Sequence, residues 1–492
     1  MPGDDYDPWS VSSIPCRLQS VRMLLGIAAE GGLLLSQGDF TCAYIEVALD
    51  EDVYVEIPEA VSGVKYIGSD GKRRVAKCNQ SFFGLHQAGK NFEVGLRKHL
   101  CQMSEVPAVD EITAQQLAEE HPGKLIIKCC KSDPNLYVAC KMPQEGGDVQ
   151  ICFLCIYSDD VLFASSAKSL RTEVFQKLHA RFPFVDKGST EEGPLSFCGC
   201  KIQQEVKDSG ELSYTISQPG YIRKLLKDNK MDEANSIRRP TAQGMKFSKE
   251  DQPAQMDLSA YRKMAGGILW AAITCFPQIA ANATTVCRFM GQPTENGVIQ
   301  GKKILRYLID HSESGITYRC KAPALKNLAN LQIKGYCDAD WAADEDSARS
   351  TTGNVLMIAG AAFDWSSKLQ HTVAMSTAEA ECYSLCALTI EIEYCRGLMK
   401  ELGIGNHEPV YVGVDNKAAV LSAHNETGKR TRHVNIRFHR VRSAVQAKTI
   451  EIHYIRGGTS PDAEQVADIM TKSCNGHLFD KFDKVIRGKP DG

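Results

Sequence analysis

From Leu331 onward, short apolar runs and one long helical run follow each other in an order that few folds accommodate. Leu331 to Cys337, Asn354 to Ile358, Ala362 to Trp365 and Thr372 to Met375 read as consecutive strands. A long helix follows. Its start carries a capping box, in which the Ser376 hydroxyl can accept from the Glu379 amide while Glu379 reaches back to the cap. Tyr383, Leu385, Leu388, Ile392, Cys395, Leu398 and Met399 then mark a buried face up to Gly403. Next come a strand ending near Asp415, a helix, the strand Ile450 to Ile455, and a last helix entered through Ser460, Pro461 and Asp462. This succession predicts a compact mixed sheet of domain size.

Upstream, apolar residues recur at helical spacing from Pro15 to Glu30, and Gly31 and Gly32 supply a stop, which predicts a short amphipathic helix. Strand-like stretches run from Leu33 to Ile45 and from Val53 to Ile57. A second pair, Gln150 to Tyr157 and Val161 to Ala164, flanks the tip Ser158-Asp159-Asp160, so two carboxylates sit at the turn of a β-hairpin. Helical segments near Phe92 to Met103 and Lys168 to Phe182 fall between strands without strict βαβ alternation, which favours an α+β sheet. Arg238 to Leu258 reads as a linker before a helical stretch from Tyr261 to Ile309. No internal repeat is evident.

Hydrophobic residues make up 43% of the 492 and charged residues 24%, the balance of an ordinary chain of two to four domains. No apolar run approaches membrane-spanning length, and the acidic start, with Asp4, Asp5 and Asp7, lacks the regions of a signal peptide. An intracellular protein, cytoplasmic or nuclear, with no membrane partner is expected. The 19 cysteines are scattered through apolar segments and read as small buried thiols; Cys152 and Cys155 have zinc-like spacing but no second pair to complete a site. A net charge of -3 excludes a uniformly basic nucleic-acid binder, leaving local basic patches.

Four carboxylates fall where strands and helices would bring them together: Asp338 on the first strand, Glu381 on the long helix, Asp415 closing a strand and Asp468 on the last helix. Oxygen ligands of this kind suit magnesium. Two hard cations about 4 Å apart can activate water on one side of a phosphodiester and stabilise the leaving oxygen on the other. Each acid also has a plainer reading: Asp415-Asn416 as a helix entry, Asp468 as a surface acid, and the neighbouring Asp340 and Glu379 as a solvated charge and a cap. A second set is Asp39 on an early strand with Asp159 and Asp160 at the hairpin tip, where adjacent carboxylates repel unless a cation neutralises them.

Asp39-Phe-Thr-Cys-Ala-Tyr-Ile45 with Leu49 to Pro58 resembles the first catalytic motif of the reverse transcriptase in copia-type retrotransposon Pol polyproteins. Phe83-Gly-Leu-His-Gln-Ala88, Asp133-Pro-Asn-Leu-Tyr137, Tyr157-Ser-Asp-Asp160, Phe197-Cys-Gly-Cys-Lys-Ile202, Tyr261-Arg262, Pro277-Gln-Ile-Ala280 and Arg306-Tyr-Leu308 follow in the family's order. The ribonuclease H motifs are closer still: Gly335-Tyr-Cys-Asp-Ala-Asp-Trp341, Arg349-Ser-Thr-Thr-Gly353, Trp365-Ser-Ser-Lys368, Ser376-Thr-Ala-Glu-Ala-Glu381, Asp415-Asn416 and Ala467-Asp-Ile-Met-Thr-Lys472.

The resemblance implies a reverse-transcriptase palm and thumb over 1–235, a helical connection over 236–330, a ribonuclease H-like mixed α/β domain over 331–478 and a tail over 479–492. It implies Asp39, Asp159 and Asp160 as polymerase ligands, Tyr44 as the aromatic gate against a ribose hydroxyl, and Asp338, Glu381, Asp415 and Asp468 as ribonuclease ligands. Magnesium is the implied ion, with manganese a possible substitute; the partners are an RNA–DNA hybrid, an RNA template with a DNA primer, and other products of the polyprotein.

The sequence departs from the family in several places. Only 38 residues precede Asp39, so the fingers are expected to be missing; Arg17 and Arg22 are the basic side chains there, and polymerase activity is expected to be lost. Gly38 stands where the family prefers a large apolar residue, which should weaken the strand that carries Asp39. His86, Gly89 and Phe92 replace Lys, Pro and Trp of the second motif.

Between 429 and 442 lie Lys429, Arg430, Arg432, Arg437, Arg440 and Arg442, interleaved with His433 and His439. Such a patch predicts phosphate contacts without sequence readout; a solvated helix face is the alternative. The leading expectation is two-metal ribonuclease H activity. The rivals are a non-catalytic nucleic-acid-binding remnant and a polymerase completed by another chain.

Overall fold

The structure is a computed structural model that describes residues 15–56, 75–82, 84–241, 247–406, 408–424, 432–474 and 476–489. It is a mixed α/β protein whose chain divides into two compact units, one of residues 1–17 and 34–189, the other of 18–33 and 190–492. Among the described residues no helix is long and apolar enough to cross a membrane.

In the first unit, β1 (Leu34–Phe40) pairs with segments far along the chain. A two-stranded ribbon, β2 (Ala48–Glu56) and β3 (Val75–Gln80), follows it. The strands β4 (Ile126–Cys129), β5 (Leu136–Lys141), β6 (Gln150–Tyr157), β7 (Asp160–Ser165) and β8 (Phe184–Ser189) complete an antiparallel sheet of order β4-β5-β6-β7-β1-β8. The expected hairpin at Ser158-Asp159-Asp160 is present as the β6–β7 turn, with Ser158 at φ 57°. Cys152 and Cys155 are buried in β6; three residues apart on a strand, they face opposite sides of the sheet and cannot share an ion.

The strand expected over Leu33 to Ile45 is shorter. Extended pairing stops at Phe40, Cys42 turns into the left-handed region at φ 57°, and Ala43–Glu46 forms a 3-10 turn. Phe40 packs against Phe92 and Phe184, with ring centroids 5.2 and 4.5 Å away, and this aromatic core rewards the turn more than further pairing would.

Gly38 is explained by the same core. The β1–β8 register shifts between Gln37 and Gly38, and a Cβ on Gly38 would lie 2.2 Å from the Phe184 ring. The ring supplies the apolar bulk that sequence reasoning expected from residue 38 itself, so the glycine fits the strand rather than merely weakening it. Gly38→Ala should therefore lower the urea midpoint, by about 1–3 kcal/mol of stability, and shortening the ring in Gly38→Ala/Phe184→Leu should offset part of that loss.

The second unit includes the helix Leu18–Gly31. It is buried on all sides, not amphipathic: Gln19, Ser20 and Arg22 are as enclosed as Leu24, Leu25 and Ile27. A Cβ on Gly26 would meet Ile358 at 2.5 Å, so the helix approaches its neighbours closely. Arg22 donates to the carbonyls of Phe363 (2.7 Å), Ile273 (2.8 Å) and Thr274 (3.1 Å), and its guanidinium lies 4.0 Å over the Trp365 ring.

Two sheets occupy this unit. The first joins β9 (Leu195–Phe197), β10 (Cys200–Val206), β11 (Leu212–Ser217) and β12 (Gly315–Cys320) in the order β12-β11-β10-β9. The helical stretch expected from Tyr261 to Ile309 is three helices, Leu258–Thr274, Ala280–Arg288 and Glu295–Asp310, because Pro277 interrupts the first junction and Thr294 caps a new helix after the second.

The second sheet comprises β13 (Lys334–Asp340), β14 (Thr351–Ile358), β15 (Ala361–Leu369), β16 (Val410–Val414) and β17 (Ile450–Tyr454), ordered β15-β14-β13-β16-β17. The first three pair antiparallel and the last two join in parallel. Parallel neighbours need crossover connections, and the long helix Thr377–Glu401 provides one, lying on β13 and β14. Ser376 caps it by accepting from the Glu379 amide at 3.2 Å, while the Glu379 carboxylate accepts from Met375, one residue before the cap.

No strand forms at Thr372 to Met375. Val373 and Met375 are exposed, and Ala374 is held instead by the Trp341 indole N–H, 3.0 Å from its carbonyl. The helix Gly476–Ile486 follows later in the chain, with Phe479, Phe482 and Ile486 buried.

Candidate metal centre

The parallel pairing of β13 with β16 places two carboxylates side by side, since Asp338 lies within β13 and Asp415 follows the last residue of β16. Gly457 makes room for the second: a Cβ there would fall 1.8 Å from Asp415 Oδ2. Asp468 comes from the 3-10 turn Val466–Met470, not from an α-helix as expected. The turn is drawn over β13 and β14 by two local features. Gln465 donates to the Cys337 carbonyl at 2.8 Å, and Gly353, whose Cβ would lie 2.5 Å from the Thr471 methyl, leaves space for the turn's end. Oxygens of Asp338, Asp415 and Asp468 consequently lie within 4.8 Å of one another. Asp338 and Asp468 are buried, and Asp415 is partly so.

Glu381, in the second turn of the long helix, is also buried, and among the described residues its Oε2 has no hydrogen-bond partner. Burial first, then the Asp338 and Asp415 charges, push its carboxyl up to about 9. Burial and Asp338 push Asp468 up to about 7 against the opposing pull of Lys472, and burial with Asp338 also raises Asp415. Lys472 pairs with Asp468 at 2.8 Å and with Asp338 at 3.5 Å, and the Thr471 hydroxyl donates to Asp338 Oδ2. An all-oxygen set with a buried, unpartnered carboxylate oxygen suits a hard divalent cation such as magnesium or manganese.

These raised carboxyls give the metal-free protein a definite pH response. The folded cluster binds protons that the unfolded chain, with ordinary carboxyl values of 3.8 and 4.5, releases. Their contribution is fully present below those values and is lost as pH rises through about 7 and on to about 9. Melting temperatures in chelator should fall between about pH 5 and about pH 9, and millimolar magnesium should flatten the trend.

The other acidic set is arranged differently. Asp39 and Asp160 are cross-strand partners, and the Phe40 amide donates to the Asp159 carbonyl at 2.9 Å. Gln37 donates to Asp160 at 2.8 Å, and Lys187 on β8 sits 3.2 Å from Asp39. Burial, then Asp159 and Asp39, raise the Asp160 carboxyl. Among the described residues, the group of three acids close enough to share an ion is Asp338, Asp415 and Asp468. Tyr44 is partly buried, edge-on to Phe92 at 6.1 Å, with its hydroxyl raised by burial and by Asp159.

Residues 1–129 match the family described as reverse transcriptase (RNA-dependent DNA polymerase). The chain is 27% identical over 491 residues to the retrovirus-related Pol polyprotein from transposon TNT 1-94 of Nicotiana tabacum, covering 98% of this chain and 33% of that protein. Against the retrovirus-related Pol polyprotein from transposon RE1 of Arabidopsis thaliana, identity is 28% over 486 residues, covering 99% of this chain and 29% of that one. The chain is thus similar over nearly its whole length to copia-type Pol polyproteins of plant retrotransposons. It spans about a third of the length of these curated relatives.

In this chain the basic cluster is more engaged than its sequence suggests. Lys429 and Arg430 lie outside the described residues, as does the side chain of Arg432. Arg442 is buried, donating to the Ser422 carbonyl at 2.9 Å. Arg440 pairs with Glu393, and Arg437 lies 3.9 Å over the Tyr383 ring; both remain exposed on one face. The sequence shows Lys472 within a motif and Gly457 within a turn but not the place of either beside the acids, and it gives no sign of Lys187. A lysine one turn beyond a proposed ligand was the available signal for the first.

Proposed function

We propose that residues 331–478 form a ribonuclease H domain that hydrolyses the RNA strand of an RNA–DNA hybrid, using Asp338, Glu381, Asp415 and Asp468 to hold two divalent ions. The observation that carries this reading is the convergence of three aspartates beside a buried glutamate with an unpartnered oxygen. Magnesium or manganese, when bound, would activate the attacking water and stabilise the leaving oxygen. The chain's own residues fix the ligand positions: Gln465 ties the Asp468 turn to β13, Thr471 orients Asp338, and the Ala339 amide supports Glu381. Arg437 and Arg440, with Lys429, Arg430 and Arg432, would contact phosphates, whereas Arg442 serves packing.

On the same reading, residues 1–235 form a palm and thumb that take an RNA template and DNA primer, with Asp39, Asp159 and Asp160 as ligands, and 236–330 connect the two. Primer extension should be weak, because Lys187 pairs with Asp39 and the three acids do not converge as the second set does. The deciding experiment incubates purified protein with magnesium and a labelled hybrid. Release of RNA fragments supports the proposal; an intact hybrid at millimolar magnesium and manganese, from protein shown to be folded, leaves a nucleic-acid-binding role without catalysis.

A further inference from the structure

Four carboxylates surround the candidate centre, and one ammonium group of the chain is already among them. Lys472 follows Asp468 by four residues, which returns its side chain over the same turn; Nζ lies 2.8 Å from Asp468 Oδ1 and 3.5 Å from Asp338 Oδ2. The Thr471 hydroxyl donates to that same Asp338 Oδ2. One oxygen of the residue best placed to bridge two ions is thus engaged by groups of the protein itself. Lys472 is partly shielded, with 38% of its side chain exposed, while the acids it touches are 3% and 1% exposed. Its long stem leaves a route outward that the aspartates lack.

Charge counting gives the arrangement a consequence. With all four acids ionised, one lysine leaves three negative charges. One divalent ion reduces these to one; a second would make the cluster positive unless Lys472 leaves.

We infer that Lys472 is a built-in counter-cation that holds the place of the second ion: the free protein binds one divalent cation tightly and admits another only as Lys472 turns out of the cluster. This rests on the two-ion reading above and adds an order of binding to it. A substrate phosphate at the rim would draw the ammonium outward and so couple loading of the second ion to arrival of nucleic acid.

The test is a manganese titration of the full chain, read by the electron paramagnetic resonance signal of free manganese, without nucleic acid. Wild type should bind one ion, with a second at least about tenfold weaker, as expected for ions competing with a fixed positive charge a few ångströms away. Lys472→Met should narrow that gap to about threefold or less, Lys472→Gln should do the same while keeping a polar end, and Lys472→Arg should behave as wild type. Circular dichroism checks folding, and the Gln variant carries the comparison if Met unfolds. Two ions of equal affinity in wild type, or an unchanged gap in both neutral variants, would overturn the role of Lys472 and leave the two-ion centre standing. Failure of folded wild type and of every folded variant to bind manganese would remove the centre itself.

Discussion

Asp415→Asn is expected to lower cleavage of a hybrid by roughly 10³-fold, about 4 kcal/mol of transition-state stabilisation, while leaving the metal-free protein as stable or more so. Asp415 combines partial exposure with a carboxyl raised by burial and by Asp338, so its ionised form is held in a place that resists it. Like charges 4 Å apart repel by roughly 1 kcal/mol in water and about 4 kcal/mol at a partly buried site. The amide relieves that repulsion, keeps one acceptor oxygen and occupies the same room beside Gly457. What it cannot do is balance a cation.

Melting curves should show the split directly. In chelator the variant should equal or exceed wild type, and magnesium should raise wild type more than the variant, since ions bound to the native cluster stabilise by mass action. Asp338→Asn provides the contrast. Asp338 accepts from Thr471 and pairs with Lys472, so its loss should cost both cleavage and metal-free stability. A variant at 415 that melts well below wild type in chelator would make Asp415 a structural residue and withdraw it from the proposed ligand set.

The order of strands and helices after Leu331 was legible because each element carries its own periodicity and end signals. Ser376 marks a helix start whatever surrounds it, and the β6–β7 turn is set by two residues between apolar runs. Thr372 to Met375 has the composition of a strand but no partner, and pairing is a property of the neighbour as much as of the segment. Gly38 looked like a defect because Phe184, which fills its space, lies 146 residues away in sequence. The site shows the same division. The four acids were readable as residue types at strand and helix ends, and three of them meet in the structure. That Arg442 turns inward while Arg437 stays exposed depends on where its helix faces, which the local run of basic residues does not specify.

Arg22 illustrates the limit most sharply, and its replacement should have the largest effect on stability. Arg22→Met is expected to cost about 3–5 kcal/mol, the range for removing one member of a buried polar arrangement and leaving its partners unmatched. The guanidinium donates to the carbonyls of Ile273 and Thr274 at the end of the helix Leu258–Thr274, where the last carbonyls lack helical donors and the helix dipole favours a cation. It also donates to Phe363 and covers Trp365, so one side chain joins the helix Leu18–Gly31, a helix end and β15 within the second unit. Lysine has the charge but not the planar fork, so Arg22→Lys should recover less than half of the loss.

The pH dependence separates the charge from the packing. Asp364 is pushed up to about 6 by burial even though Arg22 pulls it down. Without Arg22 its carboxyl should climb further, and a carboxyl raised above its unfolded value destabilises the fold once pH passes through it. The deficit of Arg22→Met should therefore be larger near about pH 8 than near about pH 5, where Asp364 is protonated in both proteins. Urea midpoints at the two pH values test this, and hydrogen exchange at residues 271–276 should quicken first, where the capped carbonyls lie. Equal deficits at both pH values would mean that Arg22 acts through its hydrogen bonds and its stacking on Trp365, with no electrostatic coupling to Asp364.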